Sequence, residues 1–160
     1  MPNDVTLREH LVQVLDWTSA HADFDAAIQG ISPATRGQRP EDLPYSPWEL
    51  LEHIRIAQND ILEFCQNSDY SQPDWPADYW PEQPGPSSDA AWQDSIDQFR
   101  GDREEMKRIA RDTPDLYAEI PHGDGQTYVR EILLVADHNA YHLGQLVAVR
   151  RLLGEWDSDA

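Results

Sequence analysis

Asp137-His138-Asn139-Ala140-Tyr141-His142-Leu143-Gly144-Gln145-Leu146 sets two histidines four residues apart inside a long apolar-periodic stretch. Thr127 stands where a helix N-cap belongs and Gly154 where a helix ends, so the spacing predicts one helix between them. One face of that helix carries Val129, Ile132, Leu133, Ala136, Ala140, Leu143 and Val147. His138 and His142 fall on another, beside Val135, Leu146 and Val149. A helix apolar on two faces is central to a fold or sits at an interface. Residues at i and i+4 share a face with Cβ atoms about 5–6 Å apart, and two imidazoles so placed can bind one metal ion at about 2.0–2.1 Å.

Working outward, a second sharp signal is Ser46-Pro47-Trp48-Glu49, with Ser at the N-cap, Pro at the first helical position and Glu at the third. This is a capping box, and it predicts a helix to about Gln66. Its apolar stripe is Leu50, Ile54, Ala57, Ile61 and Phe64, and His53 lies on that stripe. An earlier helix is expected from Thr6 to Ile28, on the stripe Leu7, Leu11, Val14, Leu15, Thr18 and Ala22. Another follows Ser87-Ser88 and runs to about Arg111, with Trp92, Ile96, Phe99, Met106 and Ala110 inward.

The connections are long. Residues 30–45 are turn-rich, and 67–87 hold Pro73, Pro76, Pro81, Pro84 and Pro86 with Trp75, Tyr79 and Trp80. That second segment reads equally as an aromatic flap over one end of the core or as the wall of a pocket. The expectation is all-α: a four-helix bundle with long crossover loops, as a single domain over residues 1–160. Bundle cores often hold metal sites built from side chains on facing helices.

The 160 residues carry a net charge of −18, with a pI near 4.4 and a mean hydropathy of −0.70. Such a balance speaks against a nucleic-acid partner and against an anionic membrane surface. Cys65 is the sole cysteine, so no disulfide can form within the chain. No leader peptide and no membrane-spanning run is legible, and the expected address is the cytoplasm.

Alone, an i,i+4 histidine pair is a weak motif, equally readable as hydrogen-bonded residues at a helix contact. His53 on the core stripe of another helix supplies a third candidate ligand. Three neutral imidazoles would leave a cation its full charge and at least one open position, as in catalytic sites. Zinc, nickel, iron and copper all accept such donors.

At these residues the chain resembles the DinB/YfiT-like superfamily of bacterial four-helix metal proteins. The resemblance rests on His53 in Leu-Leu-Glu-His-Ile and on His138 and His142 in Asp-His-Asn-Ala-Tyr-His-Leu-Gly-Gln-Leu. It implies a divalent metal ion on His53, His138 and His142, with zinc, nickel and iron not distinguished. It also implies a metal-dependent hydrolase, or a transferase or isomerase using a low-molecular-weight thiol. The implied partners are a small-molecule substrate, a thiol among the candidates, and a second copy of the chain in a homodimer. The alternatives are a non-catalytic metal-binding or stress-associated dimeric bundle, and an interaction module whose histidines bind nothing. No catalytic base is carried over.

His122 and Asp124, in Pro-His-Gly-Asp-Gly-Gln, read either as orienting or proton-shuttling groups or, more simply, as a tight turn with a solvated histidine. His21 reads as exposed, Tyr141 as packing and Cys65 as a small buried hydrophobe. Asp102, Glu104 and Glu105 among Arg100, Arg103 and Lys107 read as a solvated helix face.

Overall fold

The computed structural model describes residues 2–16 and 20–156. Five α-helices form: α1 (Pro2–Asp16), α2 (Phe24–Ile28), α3 (Pro47–Gln66), α4 (Asp89–Asp112) and α5 (Tyr128–Leu152). A 3-10 turn covers Ala77–Tyr79, and a lone antiparallel bridge joins Glu119 to Thr127; the described residues form no strand. No helix among them is long and apolar enough to cross a membrane.

The helix starts follow their capping chemistry. Ser46 accepts from the backbone N–H of Glu49, whose carboxylate accepts in return from the Ser46 N–H at 2.8 Å. Ser88 and Thr127 accept from the third backbone N–H of α4 and α5 respectively. Gly154, at φ 73°, turns the chain after α5 in a conformation that side chains disfavour.

The single helix expected over 6–28 is instead two. Asp23 accepts from the backbone N–H of Ala26 and so begins a new helix, α2, while Ala20–Ala22 are outside any helix. Of the expected stripe, Leu11 and Leu15 are buried, Val14 is 39% exposed, and Thr18 lies outside the described residues. The break lets Phe24 stack on Phe99 of α4 with ring centroids 4.0 Å apart.

α3 packs against α4 and α5; α1 lies across α4 and α5, and α2 against α5. Of the expected α3 stripe, Leu50, Ile54 and Ala57 are buried and Ile61 and Phe64 half-buried, while Leu51, Gln58, Leu62 and Cys65 extend the inward face to one side. On α5, Leu133 is 50% exposed and Ala140 and Val147 half-buried, whereas Val135, Leu146 and Val149 are fully inside. The face shared with the histidines is therefore the better buried one.

Arg103 and Lys107 of α4 are buried, which corrects the reading of that region as a solvated face. Lys107 pairs with Asp16 at the end of α1 and with Glu104, and the Arg103 guanidinium lies 5.9 Å from the ring centres of both Phe24 and Phe99. Long basic stems bury readily when a carboxylate and aromatic faces receive the charged end.

Two apolar clusters make the core. One gathers Phe24, Trp48, Leu51, Ile54, Trp92 and Phe99 with Leu143 and Leu146; the other gathers Leu11, Leu15, Leu62, Met106, Ile132 and Val135. Between them runs a polar layer. Asn139 donates to Gln58 Oε1 at 3.0 Å, and Gln58 donates to the Phe99 carbonyl at 2.8 Å, all fully buried.

The long loops are tied to this frame. Ser46 Oγ, besides capping α3, donates to the Pro84 carbonyl. Gly37 and Gly85 bring the two loops into contact where a Cβ on Gly37 would lie 2.9 Å from Gly85 Cα. Ser46→Ala removes both the cap and the loop tie, so it should lower stability by about 1–2 kcal/mol in urea denaturation. A loss under about 0.3 kcal/mol would show that the hydroxyl contributes nothing at this junction.

Candidate metal centre

His53 projects from the second turn of α3, between Leu51 and Ile54 of the first apolar cluster. His138 and His142 project from successive turns of α5, the one next to Asn139 of the polar layer and the other next to Leu143 of that cluster. Ring centroids stand 5.0 Å apart for His53 and His138, and 4.5 Å for each of the other two pairs. One nitrogen from each ring lies within 4.8 Å of the others. His53 and His142 are buried and His138 is half-buried.

Their hydrogen bonds decide which nitrogens face inward. His53 Nδ1 lies 2.8 Å from the Tyr79 carbonyl oxygen, which can only accept. Nδ1 therefore carries the proton and Nε2 presents a lone pair. His142 Nδ1 lies 2.7 Å from Gln145 Oε1, an amide oriented by its other end, whose NH2 meets the Tyr141 hydroxyl at 3.4 Å. The same assignment follows for that ring.

His138 Nε2 is 3.2 Å from His53 Nε2, and His138 Nδ1 is buried without a hydrogen-bond partner. Two lone pairs thus converge where a neutral His138 can offer at most one N–H. A cation would satisfy all three rings: nitrogens each about 2.0–2.1 Å from one ion stand about 3–3.4 Å apart, the range of the His53–His138 pair, and the three lie within 4.8 Å of one another. The donor set fits a divalent ion.

Electrostatics keeps the rings ready to ligate. Burial lowers the pKa of all three histidines below the usual 6.5. For His142, burial and then the neighbouring His138 and His53 rings bring it to about 4. For His53 the Tyr79 carbonyl opposes burial without overcoming it. All three are neutral at pH 7, the form that binds metal.

The proline-rich loop is a wall of this site. Trp80 lies parallel to the His53 ring, 3.9 Å between centroids and 2° between planes, and Tyr45 stacks on the other face of Trp80 at 4.6 Å. The Tyr79 hydroxyl donates to Asp60 of α3 at 2.6 Å, and Tyr70 donates to the same carboxylate at 2.7 Å.

Other expected candidates lie elsewhere. His21 is exposed, its Nδ1 2.9 Å from the Ala22 carbonyl. Asp124 is exposed in a turn completed by Gly125 at φ 99°. His122 is not simply solvated: its Nε2 lies 2.7 Å from the Phe64 carbonyl and its ring meets Phe64 edge-on, so it ties the loop before α5 to the end of α3. Tyr141 is not packed inside but 65% exposed, its ring edge-on to His142. Cys65 is buried, and burial ahead of Glu131 pushes its thiol up to about 12, an unreactive setting.

Sequence reasoning missed Asp60, Gln145 and the Gln58–Asn139 pair as supports of the site, and it named Tyr79 and Trp80 only within a loop read evenly as flap or pocket wall. Gln145, three residues after His142, was within reach of a spacing argument. A backbone carbonyl such as that of Tyr79 leaves no mark in the sequence.

The sequence profile of the DinB superfamily matches residues 16–146, most of the chain and all three histidines, and the protein belongs to that superfamily. No curated protein and no solved structure matches it.

A pH dependence follows from the depressed His142 pKa. The unfolded chain takes up this proton near 6.5 and the metal-free folded protein only near 4. The folded form therefore holds its full advantage above pH 6.5 and loses it as the pH falls toward 4. In protein stripped by EDTA, the His142 ring proton should titrate by NMR with a midpoint near 4. Urea stability relative to His142→Gln should drop between pH 7 and 4.5; a midpoint at the ordinary 6.5 would contradict the burial described here.

Proposed function

We propose that this member of the DinB superfamily is a metal-dependent enzyme, a hydrolase or a low-molecular-weight-thiol transferase, working through one divalent ion on His53, His138 and His142. The observation that carries the reading is the convergence of three neutral imidazoles, two of them with Nε2 bared by hydrogen bonds at Nδ1. When bound, a divalent ion on neutral ligands is a Lewis acid that acidifies a coordinated water or thiol.

The chain's own residues do the rest. Tyr79 and Gln145 hold two of the ligands in one tautomer, which raises their basicity and fixes their aim. His53 and His142 are buried and His138 is half-buried, so the His138 side is the more open one. Three protein ligands leave room for a substrate atom, and the exposed Tyr141 stands beside His142 at that approach.

A catalytic rather than a structural ion is favoured because the helices share two apolar clusters that include none of the three histidines. α3 packs against α4 and α5 through residues of those clusters. Protein grown with zinc, nickel and iron should therefore carry about one equivalent of metal. His142→Ala should carry less than about one-tenth of an equivalent while keeping its helical circular dichroism. Metal content under about one-tenth in the wild type would defeat the metal reading, and loss of fold together with the ion would favour a structural role.

A further inference from the structure

We propose that the segment from Tyr70 to Trp80 is a clamp on His53, with Tyr79 and Trp80 as positioning residues and Asp60 as the anchor. It rests on the metal reading above and concerns how the ligand from α3 is aimed.

A histidine on a helix has two side-chain torsions to fix before its nitrogen points at an ion. α3 by itself leaves ring rotation open, and the two α5 ligands cannot fix it until an ion joins them. The loop supplies what is missing. Trp80 fixes the plane of the ring by lying parallel to it at 3.9 Å, and the Tyr79 carbonyl fixes rotation within that plane by accepting from Nδ1 at 2.8 Å. The edge that remains, Nε2, is the one 3.2 Å from His138 Nε2.

Trp80 has no face left for a substrate. Tyr45 covers the side away from His53, with planes 9° apart. A ring sandwiched on both faces orients its neighbours; a recognition platform needs one face open. That argument separates a positioning role from a binding one.

The clamp is fastened to the helix that carries the ligand. Asp60 lies seven residues after His53, two turns along α3 and on the same side. Its two carboxylate oxygens receive the hydroxyls of Tyr70 and Tyr79 at 2.7 and 2.6 Å. Tyr79 is thus held at both ends: its hydroxyl on Asp60, its carbonyl on His53. Burial first and the Asp60 carboxylate second push the Tyr79 phenol up to about 12 and the Tyr70 phenol higher still, so both remain donors across the physiological range. The path from His53 along α3 to Asp60, through Tyr79 and back to His53 is a closed ring of contacts around one ligand.

Removing the stack should cost metal affinity more than it costs the fold. In the full-length protein, nickel affinity is measured by competition with a chromogenic chelator, and stability of the stripped protein by urea. Trp80→Ala should weaken nickel binding about 10- to 100-fold, the usual cost of losing a partner that orients a ligand. Trp80→Phe, which restores a flat ring, should recover affinity to within about threefold of wild type. Tyr79→Phe keeps the carbonyl and the ring but releases the Asp60 anchor, and should weaken binding severalfold. Nickel should also quench a share of the wild-type tryptophan fluorescence that is missing in Trp80→Phe although that variant still binds.

Wild-type affinity in Trp80→Ala, with the wild type itself taking up one equivalent, would overturn the clamp and leave the metal reading standing. A wild type that takes up no nickel, zinc or iron would bring down both. Should Trp80→Ala fail to fold, Tyr79→Phe decides, and unchanged affinity there overturns the proposal. A loss of urea stability with no change in affinity would mark the loop as structural only and overturn it equally.

Discussion

A neutral imidazole donates from one nitrogen and accepts at the other, and the partner of the first decides the direction of the second. That rule organises the middle of this bundle. The Tyr79 carbonyl and the Gln145 amide each take an Nδ1 proton, so His53 and His142 turn bare Nε2 atoms toward His138. Lone pairs gathered in a buried layer are costly unless something positive meets them. The helices around the layer, the loop over it and the depressed pKa values all serve that arrangement or follow from it.

The same layer explains why the core is divided. A bundle of this length would bury more apolar surface with one continuous cluster, and such a core is easier to stabilise than a polar one. Here Asn139, next to His138 in α5, and Gln58 of α3 run a hydrogen-bonded path across the interior to α4, ending on the Phe99 carbonyl. Buried hydrogen bonds between helices favour one register, since a shift by one turn would strand the Asn139 and Gln58 amide donors. The pair joins α3 to α5, the two helices whose histidines must meet. Register and site geometry are therefore set by the same contacts.

Much of this was legible in the chain, for reasons that are local. Ser46-Pro47-Trp48-Glu49 starts α3 where its capping box says it must, and the four-residue step from His138 to His142 puts both rings on one face of α5. Chemistry that depends on neighbours in the chain survives in the sequence. What failed was long-range. The break at Asp23 was masked by apolar residues that keep helical spacing across it, though Asp23 itself was the signal of a new cap. Arg103 and Lys107 looked solvated because their counter-charge, Asp16, and their aromatic neighbour Phe24 come from a different part of the chain. The loop over 67–87 read evenly as flap or pocket wall because neither a carbonyl at Tyr79 nor the stacking partner of Trp80 has a sequence signature.

The strongly acidic character of the chain bears on the site through distance. A net charge of −18 creates a field that gathers cations and repels anions over several ångströms, weakened by salt. The three ligand rings themselves are uncharged, and two of them are tautomer-fixed by uncharged groups, a carbonyl and an amide. Carboxylate ligands would have cancelled part of an ion's charge; imidazoles leave it whole. For the proposed dication, the long-range field and the local donor set would act at different stages: the first would raise its concentration near the surface, and the second would preserve its polarising strength once held. Under the metal-dependent function proposed above, an anionic substrate would have to overcome the first to exploit the second, so that reading goes best with small neutral molecules or with acids that lose their proton only on reaching the ion.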